Sequence, residues 1–190
     1  MTKKTITLRT KVSNVGEKDY AKFIRTDLAP STNLESALEL AEKVRTILAK
    51  DSVKKAISDV HLVGASSHRV QAAIIKEVEE LGFQSEKKGL FANFDVSGIR
   101  PDYYKEIPGG GILFEVERGK TIANNMDLLD VWKTHICVEA KHLFLMVPLI
   151  RETEKGGQQK VFNTVEKRVG AFFAENVNAI DVDTVHVFGY

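Results

Sequence analysis

Apolar residues recur every three or four positions in several segments of the chain, which is the spacing of one face of a helix. The first of these segments opens with a capping box, Thr32-x-x-Glu35, in which each side chain satisfies a free backbone N–H at the start of a helix. Another follows two serines that are suited to capping, at residues 66–67. The predicted helices are residues 32–48, 53–57, 67–81, 122–140 and 161–173.

Alternating or continuous apolar runs between these helices predict strands. A strand–helix–strand connection over residues 112–148 requires two parallel strands, with the helix on one face of the sheet. Three glycines at 109–111 predict a turn, and residues 13–31 and 151–160 are interpreted as loops. The predicted strands are residues 5–12, 60–63, 83–94, 99–104, 112–118, 142–148 and 184–188. This order of elements predicts an α/β fold with a mixed central sheet flanked by helices.

Composition narrows the class of protein. The chain has 190 residues, of which 43% are hydrophobic, and a net charge of +1, which excludes a disordered chain. Its single cysteine, Cys137, excludes a disulfide framework and a Cys-rich zinc site. With no signal peptide and no apolar run near the roughly 20 residues of a membrane span, we expect a cytoplasmic protein without a membrane partner. We expect a single domain over 1–190, made of an N-terminal extension with an amphipathic helix (1–65), a core (66–148) and a C-terminal helix and strand (149–190).

Two glutamates lie on a strand where apolar residues are expected. Successive side chains of a strand point to opposite faces, so that Glu115 and Glu117 share one face. A strand that leads into a crossover helix is usually central and apolar on both faces. Burying two neighbouring carboxylates without a cation is costly or forces protonation. Either this face is exposed, with the glutamates paired to Arg118, Lys120 or Lys133, or the pair contributes to a divalent metal site.

Asp102 lies on the preceding predicted strand, across the glycine turn at 109–111. Pairing of the two strands as a hairpin brings its carboxylate close to Glu115. Hard cations such as Mg²⁺ take oxygen ligands, typically one or two carboxylates together with substrate phosphate. The spacing therefore favours a metal site formed by Asp102 and Glu115.

The Pro-Asp pair at 101–102, a turn, the Glu-Val-Glu run at 115–117, a helix and an apolar strand together resemble the PD-(D/E)XK nuclease superfamily. The resemblance covers residues 66–148 and follows the α-β-β-β-α-β order of that family's core. It implies a restriction-endonuclease-like fold and Mg²⁺-dependent hydrolysis of DNA phosphodiester bonds, as in type II restriction enzymes. The last motif position is usually lysine and here is Glu117, in which the chain is similar to the BamHI-like restriction endonucleases.

The resemblance also implies roles for individual residues. The bound ion would be Mg²⁺, for which Mn²⁺ substitutes, and Glu117 would act as a general base or complete the metal's shell. A helix that precedes the sheet often supplies a further acidic ligand. The expected catalytic residues are Asp102, Glu115, Glu117 and Lys120. The expected metal ligands are Asp102, Glu115 and Glu77.

Basic residues outside the motif are candidates for contacts with DNA phosphates. The polar segment 151–160 combines lysine and glutamine with a glycine hinge, and Lys133, like Lys120, would place positive charge near the phosphate. The expected DNA-binding residues are Arg100, Lys133, Lys155 and Lys160. The expected partner is double-stranded DNA. Because a twofold dimer cuts both strands of a symmetric site most simply, we expect a homodimer.

Two other functions are compatible with the same residues. A non-catalytic DNA-binding or assembly module of this fold would explain glutamate in place of the motif lysine. A glycosidase would use Glu115 and Glu117 as its acid–base pair, at the roughly 7 Å that separates alternate residues on a strand. Aromatic side chains to stack on a sugar are few near this pair, namely Tyr103 and Tyr104.

Overall fold

A single mixed β-sheet forms the centre of the molecule. The computed structural model describes residues 18–62, 66–85, 88–94, 99–153, 156–174 and 180–190. The sheet has six strands, in the order β1-β8-β5-β4-β3-β2. They are β1 (Tyr20–Ile24), β2 (Gln84–Ser85), β3 (Tyr103–Ile107), β4 (Gly110–Val116), β5 (His142–Val147) and β8 (Thr184–Gly189). Two short strands, β6 (Arg151–Glu152) and β7 (Gln158–Gln159), form a separate hairpin.

In the described part of the chain, five helices cover the two faces of the sheet. They are α1 (Thr32–Ala49), α2 (Asp51–Val60), α3 (Ser67–Glu80), α4 (Met126–Ile136) and α5 (Val161–Gly170), which ends in a 3₁₀ turn, Ala171–Phe173. The buried apolar residues of α1, α2 and α3 pack with Ile112 and Phe114 of β4 on one face. Those of α4 and α5 pack with Leu113 of the same strand on the other face. Alternate side chains of β4 thus contribute to two hydrophobic cores, one on each side of the sheet. Within the described residues, no helix is long and apolar enough to cross a membrane.

The directions of the strands place the ends of several strands at one edge of the sheet. The strands β4, β5 and β8 are parallel, so their carboxyl ends lie side by side. The strands β3 and β1 run antiparallel to their neighbours, which puts their amino ends at this same edge. Residues just before β3 and just after β4 are therefore neighbours, although more than ten residues separate them along the chain.

Most of the predicted elements are confirmed. Helices occupy all five predicted segments. The helix predicted at 53–57 is longer, Asp51–Val60, and the one predicted at 122–140 is four residues shorter at each end, Met126–Ile136. The crossover between β4 and β5 is parallel, with His142 opposite Ile112. The first helix begins with Ser31 as its N-cap, whose Oγ accepts from the backbone N–H of Leu34 at 3.2 Å, one residue earlier than the predicted capping box.

Other predictions are wrong. The predicted loop at 13–31 contains strand β1, which pairs with β8 at the far end of the chain. Residues 83–94 do not form one long strand: only Gln84–Ser85 pairs with β3, and residues 89–94 form turns. Val60 ends helix α2 instead of starting a strand. The polar segment 151–160 holds the β6–β7 hairpin. The predicted strand at 5–12 lies outside the described residues.

Candidate active site

A tight hairpin brings Asp102 and Glu115 together. The turn between β3 and β4 is Pro108–Gly109, and Gly109 adopts a φ of 80°, which favours glycine. The resulting register pairs Tyr103 with Phe114 and leaves Asp102 level with Glu115. The backbone N–H of Asp102 donates to Oε2 of Glu115 at 3.2 Å, and Oδ2 of Asp102 accepts from the N–H of Val116 at 2.8 Å. The predicted proximity of the two carboxylates is therefore confirmed.

Lys133 of helix α4 reaches into the space beside these carboxylates. Its ammonium donates to Oε1 of Glu115 at 2.8 Å and to Oδ1 of Asp130 at 3.1 Å. Asp130 lies one turn earlier on the same helix, at the spacing that puts both side chains on one face. Exposure is 4% for the Glu115 side chain and 17% for that of Lys133, so the carboxylate of this ion pair is buried and the ammonium is partly buried. The alternative of a solvent-exposed pair of glutamates is wrong for Glu115.

Asp130 is the carboxylate that the sequence analysis missed. Its side chain is 1% exposed, and Oδ2 has no hydrogen-bond partner among the described residues. The available signal was an aspartate three residues before Lys133 on a predicted amphipathic helix. Helical spacing alone does not reveal which face turns toward the strand that carries Glu115, and the residue was therefore passed over.

Glu117 completes the set of carboxyl groups, directly after the end of β4. Its backbone N–H donates to the carbonyl of Met146 on β5 at 2.8 Å, which extends the sheet ladder by one residue. The hydroxyl of Thr121 donates to Oε2 of Glu117 at 3.4 Å. We name the side chains of Asp102, Glu115, Glu117 and Asp130 the acidic cluster. One ammonium, that of Lys133, lies within it.

Burial and mutual repulsion make the acidic cluster hold protons. Burial raises the pKa of Glu117 to about 8, and the charges of Asp130 and Asp102 add to the rise. Burial likewise raises the pKa of Glu115 well above its usual value, and that of Asp130 to about 6. Burial tends to lower the pKa of Lys133, but the charges of Glu115 and Asp130 outweigh it and raise that pKa. At neutral pH some carboxyl groups of the acidic cluster therefore retain protons. A cation that binds there would have to compete with these protons.

The donor set suits a hard cation that retains water. All four acidic side chains offer oxygen atoms, and the unpartnered Oδ2 of Asp130 is a free acceptor among the described residues. As the side chains lie in this structure, no three His, Cys, Asp or Glu residues in the described part of the chain are grouped as a complete cation site. Mg²⁺ needs only one or two carboxylates beside waters and phosphate oxygens. Asp102 and Glu115 fit that requirement.

Among the contacts of the described residues, neither Glu77 nor Lys120 forms a hydrogen bond or ion pair with the acidic cluster. The residues of α3 that act on the carboxylate of Asp102 are Gln71, by a hydrogen bond, and His68, by its charge. Glu77 is six residues further along α3, about 9 Å along the helix axis. Lys120 is exposed on the segment that follows β4. The lysine that the structure brings to the carboxylates is Lys133, whereas Lys120 is closer to them in sequence.

Two of the predicted DNA-binding residues are exposed in the described part of the chain. Arg100 is exposed two residues before Asp102, and Lys160 is exposed at the start of helix α5. Lys133 belongs to the acidic cluster's ion pair, which makes it a residue of the site itself. Lys155 lies outside the described residues. Arg100 is thus the exposed cation nearest in sequence to the acidic cluster.

Comparison of the chain with protein-family models and with curated proteins finds no match.

Proposed function

We propose that this chain is a Mg²⁺-dependent endonuclease that hydrolyses phosphodiester bonds in double-stranded DNA. The observation that supports it most is the convergence of Asp102, Glu115 and Lys133 in a buried site at the edge of the sheet. Two carboxylates beside a fixed ammonium are the groups that phosphodiester hydrolysis uses. The order α3-β2-β3-β4-α4-β5 with neighbouring β2, β3, β4 and β5 supports a restriction-endonuclease-like core.

Asp102 and Glu115 would hold the divalent ion. When bound, Mg²⁺ or Mn²⁺ supplies Lewis acidity, which lowers the pKa of water and neutralises charge on phosphate oxygens. The carboxylate of Asp102 accepts from the backbone N–H of Val116, and that of Glu115 accepts from the backbone N–H of Asp102. The backbone therefore holds both carboxylates in place. Fixed carboxylates bind a small cation without the entropy cost of ordering two mobile side chains.

Glu117 and Lys133 would move and stabilise charge. A carboxyl group with a pKa of about 8 is matched to accept a proton from water near neutral pH, which suits Glu117 as the general base. Lys133 keeps its proton, because the carboxylates beside it raise its pKa, and it offers a permanent positive charge to a phosphate oxygen. In this proposal Lys133 of helix α4 takes the role of the motif lysine that Glu117 replaces.

The proposed substrate and assembly follow from the same chemistry. Arg100 and Lys160 are exposed cations suited to phosphate contacts, which fix the register of a protein on DNA without reading its sequence. A twofold homodimer is the simplest way to present one active site to each strand of a symmetric DNA site. A restriction-type role is the function that combines these properties.

Incubation of the purified protein with long duplex DNA tests the proposal. The reaction contains Mg²⁺, with parallel lanes that contain EDTA or the Asp102→Ala variant, and Glu106→Ala serves as a matched control on an exposed residue of β3. We expect fragments with the wild type and the control only. Discrete bands would support sequence-specific cleavage, and a smear would support a nuclease without site recognition. Intact DNA in every lane, over several DNAs, would contradict the proposal.

A second candidate function is a non-catalytic DNA-binding module of the same fold. The observation that favours it is that Lys133 already compensates Glu115 and Asp130, as a purely structural ion pair would. A structural pair predicts that Lys133→Met destabilises the fold and leaves DNA binding intact. Salt-dependent DNA binding without cleavage in Mg²⁺ would favour this module over the nuclease.

A further inference from the structure

Asp130 is a buried carboxylate that the proposed hydrolysis does not use. It lies one turn before Lys133 on helix α4, and its side chain is almost entirely buried. Oδ1 accepts from the ammonium of Lys133 at 3.1 Å, whereas Oδ2 has no hydrogen-bond partner among the described residues. A buried acceptor without a partner costs free energy, and a bound ion is one of the ways in which proteins satisfy it. Asp130 therefore has an oxygen available for a cation.

Asp130 shares its one counter-charge with a second buried carboxylate. The ammonium of Lys133 also donates to Oε1 of Glu115 at 2.8 Å, so it lies between an oxygen of helix α4 and an oxygen of strand β4. Asp127, which is equally buried one turn earlier on α4, pairs instead with Arg168, whose Nε lies 3.1 Å from its Oδ2. The position between Glu115 and Asp130 is thus one that a positive charge occupies in this structure.

A small rearrangement would let a divalent cation take the place of this ammonium. Mg²⁺ binds oxygen at about 2.1 Å, so each of the two carboxylates would have to move inward by about 1 Å or less. With the ammonium between them, the side chains of the described residues do not form a complete cation site. The ammonium of Lys133 is carried on a flexible four-carbon stem and is partly exposed, so it can turn away without a change in the backbone.

We propose that Asp130 is a third protein ligand of the divalent cation, beside Asp102 and Glu115, and that the ammonium of Lys133 holds this position while the cation is absent. The inference rests on the proposed metal site and deepens it, because it adds a ligand from helix α4 to the two that the hairpin supplies. Binding of the cation displaces the ammonium from both carboxylates. The displaced ammonium then lies beside the cation, where the substrate phosphate binds.

Calorimetric titration of the full chain with Mn²⁺, in the absence of DNA, measures cation binding separately from catalysis. Wild type, Asp130→Asn and the exposed control Glu106→Gln are compared at one pH, each after its fold has been verified by circular dichroism. Asp130→Asn is also combined with Lys133→Met. In that background no ammonium is present, so a residue that acts only by holding Lys133 has no effect on the cation.

We expect Asp130→Asn to weaken Mn²⁺ binding about tenfold or more in both backgrounds, with no change in Glu106→Gln, and Lys133→Met alone to strengthen it. Absence of saturable Mn²⁺ binding by the folded wild type overturns the inference. So does a loss of less than about threefold when Asp130→Asn is added to Lys133→Met, which would make Asp130 a residue that positions Lys133. Weaker binding in Lys133→Met would refute displacement of the ammonium.

A thiolate in place of the carboxylate tests direct ligation without the need for Lys133→Met to fold. Thiolates prefer soft metal ions, and a bond between Cd²⁺ and a thiolate absorbs in the ultraviolet by charge transfer. Wild type is the matched control for Asp130→Cys, because Cys137 is a buried thiol at the end of the same helix. We expect this absorption on addition of Cd²⁺ to Asp130→Cys and not to wild type. Its absence from Asp130→Cys, or equal absorption in wild type, contradicts direct ligation.

Cleavage of duplex DNA in Mg²⁺ is measured separately, so that the two proposals can fail independently. If wild type cleaves DNA but Asp130→Asn binds Mn²⁺ as tightly as wild type, only the role of Asp130 is refuted. If Asp130→Asn weakens Mn²⁺ binding as expected but the wild type leaves DNA intact, only the nuclease function is refuted.

Discussion

Replacement of Glu117 by glutamine is expected to stabilise the protein at neutral pH. Burial, with the nearby charges of Asp130 and Asp102, raises the pKa of Glu117 from 4.5 to about 8. A carboxyl group whose pKa is higher in the folded state lowers stability as pH rises from the unfolded-state value to the folded-state value, because folding must then take up a proton. A pKa difference of one between the two states corresponds to about 1.4 kcal/mol, so the cost at pH 7 is about 3 kcal/mol. A neutral amide avoids this cost.

Urea unfolding of the wild type and Glu117→Gln at pH 4.5 and pH 7, in EDTA, measures the effect. We expect the free energies of unfolding to be nearly equal at pH 4.5, and the variant to be more stable by about 3 kcal/mol at pH 7. Glu106→Gln is the control, since Glu106 is exposed on β3. A difference that is the same at both pH values would refute the reasoning, as would a variant that is less stable at pH 7.

Three further results are expected. Lys133→Met leaves Glu115 buried without its cation and should lower the free energy of unfolding at pH 8 by about 3 kcal/mol; a loss below about 1 kcal/mol in urea unfolding would contradict a buried ion pair. Gly111→Ala should lower the melting temperature, because its Cβ would lie 2.7 Å from the carbonyl oxygen of Glu139, whereas Gly119→Ala, with open space around it, should not. Mg²⁺ binding at pH 7 should release protons, because the raised carboxyl pKa values must fall. Calorimetry in two buffers of different ionisation enthalpy measures this release. Binding without proton release would mean that the ion binds elsewhere.

Local sequence determines the part of the site that a hairpin builds. Asp102 and Glu115 flank a short turn, and strand register then fixes their proximity, which is why the motif and its spacing predicted it. The sequence also showed that Glu115 and Glu117 are unusual on a predicted central strand, because such a strand is normally apolar on both faces. Both inferences required only the alternation of side chains along a strand and the position of one turn.

The rest of the site depends on packing between distant elements. Asp130 and Lys133 reach the carboxylates because helix α4 packs on the sheet in one particular rotation, which its apolar pattern does not define closely enough. Lys120 and Lys133 were both predicted to place positive charge near the phosphate, and the spacing along the chain did not distinguish between them. Strand β1 was missed for a related reason: its partner is β8, more than 150 residues away, and pairing with β8 rather than local propensity makes it a strand.

The most direct test of the account is the rate at which the protein nicks supercoiled plasmid DNA as Mg²⁺ is increased from zero. Wild type, Glu115→Gln and the exposed control Glu106→Gln are compared at one pH, each after its fold has been verified by circular dichroism. The account predicts nicking that saturates with Mg²⁺ in the wild type and the control. In Glu115→Gln it predicts a nicking rate that is lower by a factor of about 10² or more. No nicking by the folded wild type, or the same rate in Glu115→Gln, would contradict it.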